Sequence, residues 1–178
     1  PKLNLVRESI PVLAQCLQST DKDVLMDTCW ALSYLSDGAD DRIEAVCADR
    51  AMVQRLVQLL SHESPSVITP ALRTIGNIVT GPDTPTQMCV DAGCLVNVAP
   101  LLSHPKKGIR KESCWMLSNI AAGSRSQISA LMAAPDVVAG VLSHMNGSEW
   151  DVRKEAAWVI CNATSGGISL PDASGNHT

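Results

Sequence analysis

Glu112, Trp115 and Asn119 stand at i, i+3 and i+7, and Glu155, Trp158 and Asn162 repeat that spacing 43 residues later. At ~100° per residue a helix gathers each set into one narrow arc, and it turns Cys114, Leu117 and Ala121 to the opposite side as an apolar stripe. The chemistry on offer is recognition. A carboxamide donates through its N–H and accepts through its C=O, so a row of Asn side chains can hold extended main chain without reading side chains. Between indoles the methylene stem of a Lys or Arg can lie with its cation drawn to the ring, and Glu112 and Glu155 can receive the charged tips. The competing reading is that each Trp fills a core, as most helical Trp residues do. The phase of Trp30, Trp115 and Trp158, off stripes such as Leu25, Cys29 and Leu32, favours a groove for an extended basic peptide.

The elements that must position these residues recur. CWALSYLSDG, ALRTIGNIVTG, CWMLSNIAAG and AWVICNATSGG begin at Cys29, Ala71, Cys114 and Ala157, and their closing glycines, Gly38, Gly81, Gly123 and Gly166, are 43, 42 and 43 residues apart. That period belongs to solenoids of two or three helices per repeat, in which each unit packs only on its neighbours. The spacing predicts helices over 3–18, 21–36, 41–48, 51–61, 65–79, 84–91, 95–103, 107–121, 125–133, 136–145 and 149–164. Pro11 interrupts or starts the first, Asp21 or Thr20 caps the second, and Pro65 opens the fifth. No stretch sustains period-2 alternation, so the chain is expected to be all-α. It divides into a partial repeat over 1–38 and repeats over about 39–81, 82–123 and 124–167, with 168–178 a disordered tail. It opens at Pro1 inside a helical pattern and reads as part of a longer chain.

Composition agrees with small-residue packing: 46% of residues are hydrophobic, with no Phe and one Tyr, so the four Trp need individual explanations. A net charge of −4 and a pI near 5.5 argue against nucleic acid as main partner, because phosphate binding relies on clustered Lys and Arg. Seven cysteines without a C-x-x-C pair read as small buried hydrophobes in a reducing compartment. No signal peptide or 18-residue apolar run occurs, so no membrane partner is expected.

These motifs, with LVQLLSHESPSV and the extended forms KESCWMLSNIAAG and KEAAWVICNATSGG, closely resemble importin α, the armadillo-repeat adaptor family of nuclear import. The resemblance runs from about residue 3 to Gly167 and matches the fifth through eighth repeats with part of the fourth. It implies a right-handed superhelical armadillo solenoid whose concave third helices bind nuclear localisation signals. Carried over by motif, it makes Trp115, Asn119, Trp158 and Asn162 the minor-site ladder, with Glu112 and Glu155 as acidic partners and Ser118 lining the site. Arg73 stands where a Trp would be while Asn77 keeps its place, as at the family's break between its two sites. Val79, Thr80, Gly81 and Thr86 would form a pocket for a key lysine, and Trp30 with Tyr34, which replaces Asn, would border the groove. The implied partners are the basic localisation peptides of cargo proteins, met in cytoplasm and nucleus; importin β and the export factor would engage parts that this stretch lacks. With no following repeat, the Trp158 helix would expose an apolar face and risk fraying or self-association.

The alternative in the same fold is a catenin-like scaffold, whose groove is predominantly basic; the sign of the groove charge separates the two. Enzyme motifs such as G-x-S-x-G, a Gly-rich phosphate loop or H-E-x-x-H are absent, and no cofactor is implied. His62, His104 and His144 recur after LLS, LLS and VLS, but successive repeats sit roughly 10 Å apart, too far to share a metal. Interaction with the macrodipole at helix C-termini is the better reading.

Overall fold

The structure, a computed structural model, describes residues 7–147 and 149–166. Its α-helices are α1 (Ile10–Cys16), α2 (Lys22–Ser36), α3 (Asp40–Cys47), α4 (Arg50–Leu59), α5 (Pro65–Ile78), α6 (Asp83–Asp91), α7 (Cys94–Val98), α8 (Lys107–Ala121), α9 (Arg125–Met132), α10 (Pro135–Met145) and α11 (Trp150–Gly166). No strand occurs among the described residues. The long helices α2, α5, α8 and α11 pack each against the next, and pairs of shorter helices fill the intervals between them. Leu25, Cys29 and Leu32 on α2, and Cys114, Leu117 and Ala121 on α8, are buried as the stripes require. They join Ile75 and Ile78 of α5 and Val152, Ala156 and Val159 of α11 in one apolar band running through every layer.

Local chemistry sets the helix ends. Asp21 sits in extended backbone and its carboxylate accepts from the N–H groups of Asp23 at 2.8 Å and Val24 at 3.2 Å, so Asp21 rather than Thr20 caps α2. Asp21→Ala is expected to lower stability by about 1 kcal/mol in urea unfolding. Pro11 falls in the first turn of α1, where its missing N–H is harmless, so it starts the helix instead of interrupting it. The helix expected over 95–103 is α only to Val98 and continues as 3-10 over Ala99–Ser103. Pro100 has no N–H to give to the carbonyl four residues back. The predicted tail over 168–178, with residues 1–6, lies outside the described residues.

The recurring histidines depart from expectation. His62 Nδ1 accepts from the Ser64 N–H at 2.9 Å and His104 Nδ1 from the Lys106 N–H at 3.0 Å. Ser64 and Lys106 are the residues that open α5 and α8, so each histidine fixes the entry of the following long helix rather than the dipole of the preceding one. His144 is buried, with Nε2 2.8 Å from the Leu102 carbonyl oxygen of the previous layer. Among the described residues no group of three or more His, Cys, Asp or Glu is placed to hold a metal, and no single helix is long and apolar enough to cross a membrane. All seven cysteines are free; burial pushes the thiols of Cys29, Cys47, Cys94 and Cys114 up to about 12. Cys161 is exposed.

Candidate functional site

Four long helices carry the candidate residues on successive layers: Trp30 and Tyr34 on α2, Arg73 and Asn77 on α5, Glu112, Trp115, Ser118 and Asn119 on α8, and Glu155, Trp158 and Asn162 on α11. The indoles do not lie in the apolar band. Trp30 and Trp115 are half-buried and Trp158 is 49% exposed. Trp30 stacks on Tyr34 with centroids 6.0 Å apart, and Tyr34 is 68% exposed.

The asparagines divide into two kinds. Asn77 Nδ2 donates to the Ser33 carbonyl at 2.9 Å and to Ser36 Oγ at 3.4 Å, and its side chain is buried. Asn162 Nδ2 donates in the same way to the Ser118 carbonyl at 2.9 Å. Each of these amides ties a long helix to the one before it; Asn77 commits its Nδ2 to two partners, while Asn162 commits it to one. Asn119 differs: its Nδ2 is buried and has no hydrogen-bond partner among the described residues.

Ser118 does not line the face as expected. It is buried, its hydroxyl donates to the Trp115 carbonyl at 2.8 Å, and its own carbonyl receives Asn162. Ser33 does the same for Trp30 and Asn77. A serine three residues after each of these tryptophans thus couples indole, helix and the next layer's amide, and the W-x-x-S spacing at 30/33 and 115/118 is the signal that sequence reasoning passed over. Thr74 adds a further tie, donating from Oγ1 to the Cys29 carbonyl at 3.1 Å.

Charge concentrates around Trp115. The Arg73 guanidinium lies 5.3 Å from the Trp115 ring centroid and 2.8 Å from Glu112 Oε1, while Glu112 Oε2 is buried without a partner among the described residues. Gly76 makes this packing possible, because a Cβ there would come 2.9 Å from Trp115 Cε3. Desolvation raises the Glu112 pKa above its ordinary 4.5; Arg73 and then Lys111 pull it down, and Glu155 adds to the rise. The folded state therefore holds this proton more tightly than the unfolded chain does. The resulting stability is present below pH 4.5 and is lost as pH rises through the folded value. Glu112→Gln is expected to remove that loss, so thermal unfolding across this window should show the variant gaining on the wild type as pH increases.

The four residues expected to form a lysine pocket are not equivalent. The Val79 and Thr86 side chains are buried at 3% and 2%, and the Thr86 hydroxyl donates to the Pro82 carbonyl at 3.2 Å. Both pack inward because the chain turns from α5 into α6 there, leaving Thr80, which is exposed, and Gly81 at the surface. Thr80 Oγ1 donates to the Asn77 carbonyl at 2.6 Å.

The family described as Armadillo/beta-catenin-like repeat matches residues 2–37, 50–80 and 82–122. Importin subunit alpha-1a of Oryza sativa subsp. japonica is 50% identical over 135 residues, 75% of this chain and 26% of its own length. Importin subunit alpha-3 of Arabidopsis thaliana is 52% identical over 118 residues, 65% of this chain and 22% of its own. The chain thus spans about a quarter of the length of these relatives. Among solved structures, a designed armadillo repeat protein in complex with the peptide (KR)4 superimposes with a TM-score of 0.85 at 27% identity, covering 90% of this chain and 67% of that one. Repeated helices, a shared apolar band and a family match over three stretches agree: the chain belongs to the armadillo repeat family.

Proposed function

We propose that this chain is the part of a nuclear import adaptor that binds Lys/Arg-rich localisation signals as extended peptides, without performing chemistry on them. The observation that carries this reading is the pair of buried, unpartnered atoms on α8, Glu112 Oε2 and Asn119 Nδ2, on the helix face that bears Trp115. Leaving a buried donor or acceptor unmade costs about 1–3 kcal/mol, so such atoms are spared for a ligand that completes them. One is an anionic acceptor and the other a neutral donor, and between them is an aromatic face. A peptide main-chain carbonyl completes Asn119 Nδ2, and a peptide cation on the α11 side of Trp115 completes Glu112 Oε2, since the other oxygen already holds Arg73.

The relatives named as importin α subunits and the armadillo protein bound to (KR)4 support the same class of ligand. An adaptor of this kind works in both cytoplasm and nucleus. The acidic groups of the face, Glu112 and Glu155, set against Arg73 alone, favour basic peptides over the acidic partners of a catenin-like scaffold. The test is titration of the chain with a fluorescent Lys/Arg-rich peptide and an acidic control of equal length at two salt concentrations. Saturable binding of the basic peptide that weakens with salt is expected; equal binding of both peptides, or of neither, would remove the proposal.

A further inference from the structure

We propose that Arg73 is an internal ligand of the face, a placeholder in the Trp115 and Glu112 slot that limits how many peptide cations the face can take. The inference rests on the basic-peptide reading above and names a residue that sets its specificity. The chemistry expected of a bound arginine, a guanidinium over an indole with a carboxylate at its tip, is already made by the chain itself: 5.3 Å to the Trp115 centroid and 2.8 Å to Glu112 Oε1. The slot between α5 and α8 thus has its cation. In the next interval, between α8 and α11, the aligned position on the preceding helix is Trp115 itself, so a cation there has an indole from either helix to lie against.

A plain inter-helix tie would look different. Arg110 and Glu149, also 39 residues apart, join α8 to the start of α11; Arg110 donates in addition to the His104 and Pro105 carbonyls, and its side chain is only 17% exposed. Arg73 has one hydrogen bond among the described residues, to Glu112, and its side chain is 45% exposed. It is held as a ligand is held, by ring and carboxylate, and it can leave without breaking a backbone contact.

The experiment compares two synthetic peptides, one with a Lys-Arg pair and one with a further Arg extending it toward the α5 side, against wild type, Arg73→Gln, Arg73→Met and Arg73→Lys at 150 mM salt. Arg153→Gln, which removes an exposed charge from the other side of α11, controls for overall charge. Arg73→Gln and Arg73→Met are expected to raise the preference for the longer peptide roughly three- to tenfold over wild type. Arg73→Lys, which refills the slot, and Arg153→Gln should leave the preference near the wild-type value. A preference unchanged in both neutral variants, a loss of binding to both peptides, or an equal gain in Arg153→Gln would overturn the inference. Failure of both neutral variants to fold would also overturn it, since Arg73 would then be a structural tie. If wild type bound neither peptide, the basic-peptide reading itself would fall and this inference with it.

Discussion

Trp115→Ala combined with Asn119→Ala is expected to weaken binding of a Lys/Arg-rich peptide about 100-fold, with far-UV circular dichroism close to that of the wild type. The indole supplies the ring face, worth about 1–2 kcal/mol for a partly desolvated cation, and the carboxamide supplies a main-chain bond of about 1 kcal/mol. Together they approach the roughly 2.7 kcal/mol that corresponds to 100-fold. The stability cost should be smaller than for a core Trp, because Trp115 is only half-buried and Asn119 Nδ2 bonds to nothing among the described residues. Trp158→Ala is the cleaner companion. At 49% exposure the indole has little packing to lose, so reduced affinity with an unchanged unfolding midpoint would place its role in binding. A collapse of helicity in the Trp115 variant alone would mark that indole as part of the fold.

Much of the fold was legible because its signals are local and repeated. A stripe such as Cys29 and Leu32 on α2 or Cys114 and Leu117 on α8 follows from 3.6-residue periodicity, and all four side chains are buried. The glycine-closed repeats set the layer spacing. What stayed hidden depended on backbone groups with no sequence signature of their own. Pro100 turning the end of one helix to 3-10, and His62 and His104 capping the entry of the following helix instead of the exit of their own, are examples.

The site was legible to the level of the face, and not to the level of individual bonds. Glu112, Trp115 and Asn119 share an arc by arithmetic, but nothing in the spacing distinguishes Asn119 from Asn77 and Asn162. The amides of Asn77 and Asn162 are bound to serine carbonyls of the preceding layer, and that of Asn119 is not. Val79 and Thr86 were assigned to a pocket by motif, yet the turn from α5 into α6 buries both side chains. Arg73 is visible as a break in the row of Trp, while its placement on Trp115 and Glu112 is set by the packing of α5 against α8.

Gly76→Ala is expected to lower peptide affinity about tenfold although residue 76 has no side chain to offer a ligand. An Ala Cβ there would come 2.9 Å from Trp115 Cε3, closer than non-bonded carbons approach, so the indole must rotate or α5 and α8 must separate. Overpacking of this kind costs about 1–3 kcal/mol, while replacing a helical Gly by Ala returns about 1 kcal/mol, so a net loss of up to about 2 kcal/mol is expected in urea unfolding. The decisive form is a double-mutant cycle. In a Trp115→Ala background the clash is gone and only the propensity gain remains, so Gly76→Ala should change sign and stabilise by about 1 kcal/mol. It should also have no further effect on peptide affinity there, because the ring whose position it disturbs is absent. Destabilisation of equal size in both backgrounds would mean that the Cβ strains the helix packing itself, and that the position of the Trp115 ring does not depend on Gly76.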